Sequence, residues 1–332
     1  MIKISVIIPV YKVEAFIGRC ADSLFGQTMQ EDIEYIFVDD ASPDNSMSVV
    51  RECLGHFPER QGQVKFFAHQ KNCGLPAARN TGLTHAVGEY VFHCDSDDFL
   101  EKRALERMYN RAKESEADIV WCDWFLSLKQ SERYMKQPDY TTPDEALKGM
   151  LGGAMKFNVW NKLVRRQLYT DNQLTFPAGH NMGEDMLMIR LFACAKKVCY
   201  LPEAFYHYVR VNANGLTQMQ DNEKINLRHL EDIKYNADLT TGYIRQKFGH
   251  QLDKYIACFQ LQVKFPFLIS GNSRKYELWQ KWYPEANRYI WDNKQISFRS
   301  RLLEWMASKG QFWYVRCYYV LLMKVVYGVF YK

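Results

Sequence analysis

Several features that mark common protein classes are missing from this chain of 332 residues. It has no run of about 18 uncharged apolar residues, so no membrane-spanning helix is predicted. Its start carries no basic segment followed by an apolar stretch, so we expect no secretory signal. The nine cysteines include no CxxC pair, and their scatter favours reduced, buried thiols over a disulfide framework or a zinc site. Together these absences predict a cytoplasmic protein.

The chain has little excess charge of either sign, with a net charge of +5, but the C-terminal region is basic. Residues 274–332 contain eleven Lys and Arg against four Asp and Glu, a net charge of +7. Within this region, segment 311–332 is apolar and aromatic, and its two interior cations, Arg316 and Lys324, lie about 80° apart on a helix. We expect peripheral contact of 311–332 with the inner face of the cytoplasmic membrane. Packing on the catalytic domain or on a partner subunit is the alternative, and nucleic-acid binding is not expected.

Short β-branched runs alternate with helix-period segments along the first 125 residues. Strands are predicted at 4–10, 35–38, 64–68, 90–94 and 118–125, with helices between them. Pro9 is expected to break the first of these strands. Such alternation predicts an α/β fold with an open, mostly parallel central sheet flanked by helices. In sheets of this kind, ligands bind outside the carboxyl ends of the strands.

Acidic clusters follow two of the predicted strands. Asp39 and Asp40 follow the second strand, and the sequence Asp95-Ser96-Asp97-Asp98 follows the fourth. Carboxylates at that density repel one another unless a cation lies among them. The second cluster therefore predicts a divalent metal site. The alternatives are that Asp98 caps a helix starting near Glu101 and that Asp95 and Asp97 are surface turn residues.

The C-terminal part of the chain has a helical pattern. Thr142 to Glu145 form a capping box with proline at the first helical position, so a helix should begin there. From about residue 221 onward the pattern stays helical, and Gly249 and Pro266 are expected to end or kink helices. We therefore predict a catalytic domain at 1–220 and a mainly helical region at 221–332.

Six stretches in the first 210 residues resemble the inverting GT-A glycosyltransferases of family 2, of the bacterial surface-polysaccharide type. They are SVIIPVYK (5–12), IFVDDASPDNS (36–46), NCGLPAARNTGL (72–83), GEYVFHCDSDDF (88–99), WNKLVRR (160–166) and GEDM (183–186). The resemblance implies a GT-A, Rossmann-like fold that binds a nucleotide sugar. Where the family often has glycine, this chain has Ala41, which is tolerated unless φ is positive.

The resemblance also implies which residues contact the nucleotide. Pro9 and Tyr11 would border the base, and Asp40, with Asp39 as its neighbour, would accept the N3–H of uracil or thymine. Arg79 would lie near the base and diphosphate, and Arg210 would approach the diphosphate. Asn72 is a further candidate in this group, with hydrogen bonding to loop backbone as the alternative.

The remaining implied roles concern the metal and the reaction. Asp97 would bind Mn²⁺ or Mg²⁺, and Asp95 would lie near the ribose or the metal. His207 is a third metal ligand, a phosphate contact or a packed histidine. Asp185, preceded by Glu184, would be the catalytic base, and a pair of helix N-terminal acids is the alternative. The sequence Trp160-Asn161-Lys162 either lines the acceptor site or anchors its loop.

These expectations predict a metal-dependent inverting glycosyltransferase. It would move a hexose or N-acetylhexosamine from a UDP-sugar to a saccharide or lipid-linked saccharide acceptor in surface polysaccharide synthesis. A sugar nucleotidyltransferase is one alternative, but such enzymes usually begin with a glycine-rich phosphate loop, and residues 9–19 hold one glycine. A non-catalytic nucleotide-sugar or membrane-surface binding module on the same fold is the other.

Overall fold

The structure, a computed structural model, describes residues 1–211 and 227–321. Two compact units are present, and the first comprises residues 1–146 together with the segment that begins at 157. The second, called the helical unit, comprises residues 147–156 and the C-terminal region. The predicted boundary near residue 220 lies outside the described residues.

Nine strands and twelve helices are found in the described ranges. The strands are β1 (Ile4–Val10), β2 (Ile33–Asp39), β3 (Val64–Ala68), β4 (Tyr90–His93), β5 (Phe99–Leu100), β6 (Ile119–Ser127), β7 (Glu132–Met135), β8 (Lys162–Arg165) and β9 (Val198–Val209). The helices are α1 (Glu14–Phe25), α2 (Ser46–Gly55), α3 (Leu75–His85), α4 (Ala104–Ser115), α5 (Pro143–Gly152), α6 (Arg166–Asp171), α7 (Leu187–Phe192), α8 (Leu227–Phe248), α9 (Asp253–Lys264), α10 (Ser273–Lys281), α11 (Phe298–Ser308) and α12 (Phe312–Tyr319).

The strands form one sheet in the order β3-β2-β1-β4-β8-β6-β9-β5, with β7 paired to β6. The first four strands of this order are parallel to one another, and β6 is parallel to β9. Strand β8 runs antiparallel between β4 and β6. The predicted α/β fold with a central sheet and a helical C-terminal region is therefore confirmed, with antiparallel pairs in its second half.

Strand β1 forms the centre of the parallel part of the sheet. All seven of its residues are buried, as expected for a β-branched run covered on both faces. The predicted break at Pro9 is wrong, because Pro9 pairs in register with Val38 and β1 continues to Val10. The N–H groups along a parallel strand point alternately to its two sides. The missing N–H of a proline is therefore tolerated where it faces no acceptor on the neighbouring strand.

Several predicted helix signals are confirmed. Thr142 and Glu145 form the capping box, since the Glu145 N–H donates to Thr142 Oγ1 at 3.2 Å and the Thr142 N–H donates to Glu145 Oε2 at 3.2 Å. Helix α8 ends just before Gly249, which has a φ of 60°. Helix α9 ends two residues before Pro266, which lies in a 3₁₀ turn.

The aromatic segment at 311–332 is only partly described. Helix α12 covers its first turns, where Trp313 has 64% of its surface exposed, and residues 322–332, including Lys324, lie outside the described part. Among the helices that the structure describes, none combines the length and the apolar composition needed to cross a membrane.

Candidate active site

Loops that follow β1, β2 and β4 lie at one edge of the sheet because these strands are parallel. Val10 pairs with Asp39 at the ends of β1 and β2, and Ile7 pairs with His93 at the end of β4. The Asp40 N–H continues the pattern by donating to Val10 O at 3.0 Å. Both acidic clusters therefore leave the sheet at its carboxyl edge, as the sequence predicted.

Asp40 is buried and its carboxylate accepts three hydrogen bonds. Oδ1 accepts from the Cys73 N–H at 2.8 Å and lies 2.7 Å from His69 Nδ1, and Oδ2 accepts from the Gly74 N–H at 2.8 Å. His69 Nε2 lies 2.9 Å from the hydroxyl of Thr81. The carboxylate is therefore held in one orientation by the loop before α3 and by a histidine.

Gly74 is required in this loop for two reasons. Its φ is 89°, a region that side chains disfavour, and it precedes the first residue of α3. A Cβ atom on Gly74 would come within 2.1 Å of Asn181 Oδ1. The glycine thus allows the backbone N–H to face Asp40.

The other predicted nucleotide contacts are spread over the same loops. Pro9 is buried inside β1, whereas Tyr11 is 39% exposed on the loop that follows. Asp39 Oδ1 accepts the Ser42 N–H at 2.8 Å, and Asn72 is exposed just before α3. Of these side chains, the exposed Tyr11 and Asn72 are open to a ligand, while Asp39 is used by its own turn.

The turn after β2 contains a strained residue. Ala41 has a φ of 55°, so the left-handed conformation that the family's glycine favours is kept here with a side chain. Asp44 stabilises the turn by accepting from the hydroxyls of Ser42 and Ser46 at 2.6 Å each. These bonds, acting against partial burial, lower the pKa of Asp44 to about 2.

The loop after β4 places three carboxylates next to one another. Burial, together with the charges of Asp97 and Asp95, raises the pKa of Asp98 well above its ordinary value. Asp98 is not a helix cap, because its oxygens accept from the Tyr206 hydroxyl and the Val209 N–H at 2.7 Å each. The alternative that Asp98 caps the following helix is therefore wrong.

Arg79 joins this acidic loop to the GEDM motif. Its guanidinium is 2% exposed, donates to Asp95 Oδ1 at 2.7 Å and lies 3.3 Å from Glu184 Oε1. Burial opposes its charge, but Asp95, Glu184 and Asp185 outweigh burial and raise the pKa of Arg79. The guanidinium thus contacts two protein carboxylates, and the expected place of Arg79 near the base and diphosphate stays a prediction.

Glu184 and Asp185 begin a 3₁₀ turn that leads into α7. Gly183, with a φ of 81°, turns the chain so that the pair follows directly. Burial raises the pKa of Glu184 to about 8, with Arg79 opposing and Asp185 reinforcing this shift. Burial likewise raises the pKa of Asp185 to about 6, while Arg79 and Lys162 oppose it. A carboxylate that titrates near neutral pH has the property that a general base needs.

Lys162, at the start of β8, is a buried cation whose charge favours the ionised form of Asp185. Its Nζ donates to Asn158 O at 2.7 Å and to Asn161 Oδ1 at 2.9 Å. Burial lowers the pKa of Lys162 to about 7. The sequence motif WNK marked this position, but neither its burial nor its electrostatic link to Asp185 could be inferred from the residue types.

Trp160 of the same motif packs under the acidic loop. It stacks on Tyr206 with ring centroids 4.5 Å apart and on Tyr208 at 5.3 Å. The Tyr206 hydroxyl lies 3.1 Å from the backbone N–H of Asp95 as well as contacting Asp98. The WNK motif was expected either to line the acceptor site or to anchor its loop, and this geometry favours the anchoring role for Trp160.

His207 has the packed role rather than the metal role. Its Nδ1 lies 2.7 Å from Glu132 Oε1 and its Nε2 lies 2.9 Å from Glu101 Oε1. The ring is stacked between Phe99 and Phe125, with centroids 4.1 and 4.7 Å away. Because both ring nitrogens already have carboxylate partners, the expected metal ligation by His207 is corrected to a structural role.

Arg210 follows the last residue of β9 and is exposed. Its backbone N–H donates to Ser127 O at 2.9 Å. The residues immediately beyond, 212–226, lie outside the described part of the chain, so the expected approach of Arg210 to a diphosphate stays a prediction.

A mixed sheet whose parallel half has acidic loops at its carboxyl edge, joined by an arginine to a second acidic turn, fits the GT-A fold. Residues 5–189 match the sequence model of the family described as Glycosyl transferase family 2. The chain belongs to this family, and it is an enzyme of the glycosyltransferase class. The family match favours the glycosyltransferase prediction over the nucleotidyltransferase alternative.

Individual relatives agree with this assignment. The chain is 33% identical over 227 residues to the glycosyltransferase EpsJ of Bacillus subtilis, covering 65% of this chain and 63% of EpsJ. It is also 33% identical over 214 residues to a poly(ribitol-phosphate) beta-glucosyltransferase of Bacillus spizizenii, covering 62% of this chain and 32% of that protein. The matches thus span about a third to two thirds of these relatives' lengths.

Solved structures support the fold. The crystal structure of residues 1–349 of TarS from S. aureus, in complex with UDP-GlcNAc, matches with a TM-score of 0.66 and 21% identity. The match covers 97% of this chain and 92% of that one. The likeness at this identity concerns the fold alone.

Proposed function

We propose that this chain transfers a hexose or N-acetylhexosamine from a UDP-sugar to a saccharide or lipid-linked saccharide acceptor, with inversion, in surface polysaccharide synthesis. The observation that carries the proposal is the Arg79 bridge between Asp95 and Glu184. It brings the acidic loop after β4 and the turn that holds Asp185 into one site. Relatives named for sugar transfer to poly(ribitol-phosphate), and a similarly folded protein crystallised with UDP-GlcNAc, favour this donor and acceptor class.

A divalent ion fits the residues after β4. Asp95 uses Oδ1 for Arg79, and within the described residues its Oδ2 makes no hydrogen bond or ion pair. Asp95 and Asp97 together offer the one or two carboxylates with which Mg²⁺ or Mn²⁺ is held beside phosphate oxygens. When bound, such an ion would neutralise the growing charge on the leaving diphosphate. His207 is not part of this proposed ligand set.

The protein's own residues would carry the proton transfer. Asp185 accepts the proton of the acceptor hydroxyl, which then attacks the anomeric carbon as the bond to UDP breaks. Glu184 and Arg79 hold the turn that presents Asp185, and the charge of Lys162 favours the ionised form of Asp185. Asp40, Tyr11 and the exposed Asn72 are assigned to the nucleotide.

The acceptor side includes a proposed membrane contact. The basic, aromatic segment 311–332 would lie on the inner face of the cytoplasmic membrane, which would bring the enzyme and a lipid-linked acceptor to one surface. The exposed Trp313 of α12 supports this arrangement. Cosedimentation with vesicles containing anionic phospholipid tests it, and equal recovery with neutral vesicles at low salt would contradict it.

The central experiment is a donor panel that measures nucleoside diphosphate release with Mn²⁺, with Mg²⁺ and with EDTA. We expect UDP-hexoses or UDP-N-acetylhexosamines to be turned over, and Asp97→Ala to lower turnover by about 100-fold or more, because a metal ligand is lost. Asp171→Ala is the matched control, since Asp171 is an exposed carboxylate on α6. Unchanged turnover in Asp97→Ala would contradict the metal site, and release of a different nucleotide would contradict the donor.

A further inference from the structure

We propose that His69 is a positioning residue for donor recognition, fixing the Asp40 carboxylate so that it accepts a single ring N–H of the nucleobase. The inference rests on the proposed function, which assigns Asp40 to the base. It concerns the hydrogen-bonded unit formed by Asp40, His69 and Thr81. His69 is not part of any of the six stretches that resemble the family, and it lies between two of them.

The first step counts acceptor positions on Asp40. A carboxylate offers about four lone-pair positions, two on each oxygen. Oδ1 is filled by the Cys73 N–H and by His69, and Oδ2 accepts the Gly74 N–H. One position remains, on Oδ2. A base with one N–H donor on its ring, such as uracil, matches this remaining position, whereas cytosine presents an unprotonated ring nitrogen there.

The second step concerns the proton on His69. Asp40 as a carboxylate has no proton to give, so the histidine Nδ1–H donates to it, and in the neutral ring Nε2 accepts from the Thr81 hydroxyl. Thr81 lies on α3, and the Cys73 and Gly74 N–H groups directly precede that helix. The histidine is therefore oriented by the same element that binds the carboxylate.

The third step is mechanical. The terminal torsion of an aspartate side chain is broad, so backbone attachment alone does not set the plane of its carboxylate. Asp40 is 3% exposed, and its Oδ1 is held from the His69 side as well as from the loop. Without the imidazole, Oδ1 has an unused acceptor position and the carboxylate can rotate. The ring N–H of the base is then no longer directed to Oδ2.

A metal ion is the competing use of these residues. Within the described ranges, Asp40, His69 and Cys73 form the one group of three whose ligand atoms lie within 4.8 Å of one another. However, the Asp40 oxygens and both His69 nitrogens already have partners, and Cys73 Sγ contacts Lys71 O at 3.3 Å. A bound cation would have to break the short Asp40–His69 contact, so the hydrogen-bonded unit is favoured.

The test is calorimetric titration of the full chain with UDP and with CDP. His69→Phe removes the Nδ1–H, and we expect UDP to bind about tenfold more weakly, the size of one hydrogen bond to a charged group. The preference for UDP over CDP should fall by a similar factor. Turnover at saturating donor should stay within about twofold, because the reacting groups are untouched.

Further variants separate positioning from general damage. His69→Asn places an amide N–H near the position of Nδ1 and should recover most of the UDP affinity. Thr81→Val, which loses only the outer partner, should weaken UDP binding by about twofold. Cys73→Ser keeps the backbone N–H and should bind UDP like the unaltered chain. If His69→Phe does not fold, His69→Leu carries the same expectation.

Each outcome decides the matter. A His69→Phe protein that binds UDP as tightly as the unaltered chain, or that keeps the full UDP preference over CDP, overturns the inference and leaves the proposed function intact. Loss of affinity in Cys73→Ser equal to that in His69→Phe points to a metal site and also overturns it. If the unaltered chain binds no uridine nucleotide, the proposed function and the inference both fail.

Discussion

The two acidic loops at the carboxyl edge of the sheet balance their charge in opposite ways. At Asp40, two backbone N–H groups and a histidine satisfy a single carboxylate. At the other loop, Asp95 and Glu184 share the guanidinium of Arg79, and further carboxylates lie close by. The first loop is fully organised by the protein alone, whereas the second has more negative charge than its buried cations offset.

This difference in charge balance suits the first loop to recognition of the base and the second to the reaction. A carboxylate that already accepts three hydrogen bonds is rigid and has room for one more donor, which suits the reading of a base. A group of carboxylates with raised pKa values is poised to take up a cation or a proton, which suits metal binding and general-base catalysis. Variants on the two sides should therefore affect different measurements.

The largest effect is expected at Asp185. Asp185→Asn keeps the shape of the side chain but cannot take the acceptor proton, so kcat/KM should fall by about 10³-fold. The affinity for UDP, measured by calorimetry, should change by less than about threefold. A loss of UDP affinity that matches the loss of activity would assign Asp185 to donor binding and contradict the division of roles between the two loops.

The next largest effect concerns stability. Arg79→Met leaves two carboxylates without their buried cation and should lower the free energy of unfolding by about 3 kcal/mol. Arg107→Met is the matched control, because the Arg107–Glu203 pair is exposed on both sides and its loss should leave the stability close to that of the unaltered chain. Urea titration measures both. Equal losses in the two variants would show that the acidic loop does not depend on Arg79.

A smaller effect should appear in the pH dependence of the reaction. Because the pKa of Asp185 is raised to about 6, the base becomes protonated and kcat/KM declines as the pH falls through that value. Lys162→Met removes a positive charge that lowers this pKa, so the acid limb of the profile should move to higher pH. An acid limb at an unchanged pH would show that Lys162 does not affect the pKa of Asp185.

The smallest effect is expected at the turn after β2. Ala41→Gly removes a side chain from a left-handed conformation and should raise the free energy of unfolding by about 1 kcal/mol. Ala15→Gly, at an exposed position in α1, should instead lower it by about 0.5 kcal/mol. Urea midpoints compare the two, and a destabilised Ala41→Gly protein would contradict the strain at Ala41.

Local patterns predicted the positions of the acidic loops well. The apolar runs that became β1 to β4 and β6 are short and β-branched, and the residues that end them mark the edge where Asp40 and Asp95 lie. The capping box and Gly249 likewise depend on neighbours within a few residues, which is why they were confirmed. The antiparallel strand β8 was missed, because four residues between irregular segments have no distinctive period.

Partners far apart in sequence were not predictable in the same way. Arg79 and Glu184 are 105 residues apart, and no spacing rule shows that the arginine meets this carboxylate of the protein. The same holds for His207, whose two glutamate partners and stacked rings come from β5, β6, β7 and the start of the loop before α4. A histidine beside tyrosines is compatible with either a ligand or a packed ring.

Composition and short-range order thus established the alternation of strands and helices, the family, and the edge of the sheet where charge accumulates. These follow from backbone preferences and apolar periodicity, which act over a few residues. Which carboxylates receive a cation, an amide or a histidine was settled by folding, because burial and hydrogen bonding depend on atoms brought together from distant segments. The type of a charged residue follows from the sequence, but its pKa and its partner depend on the packing of the folded site.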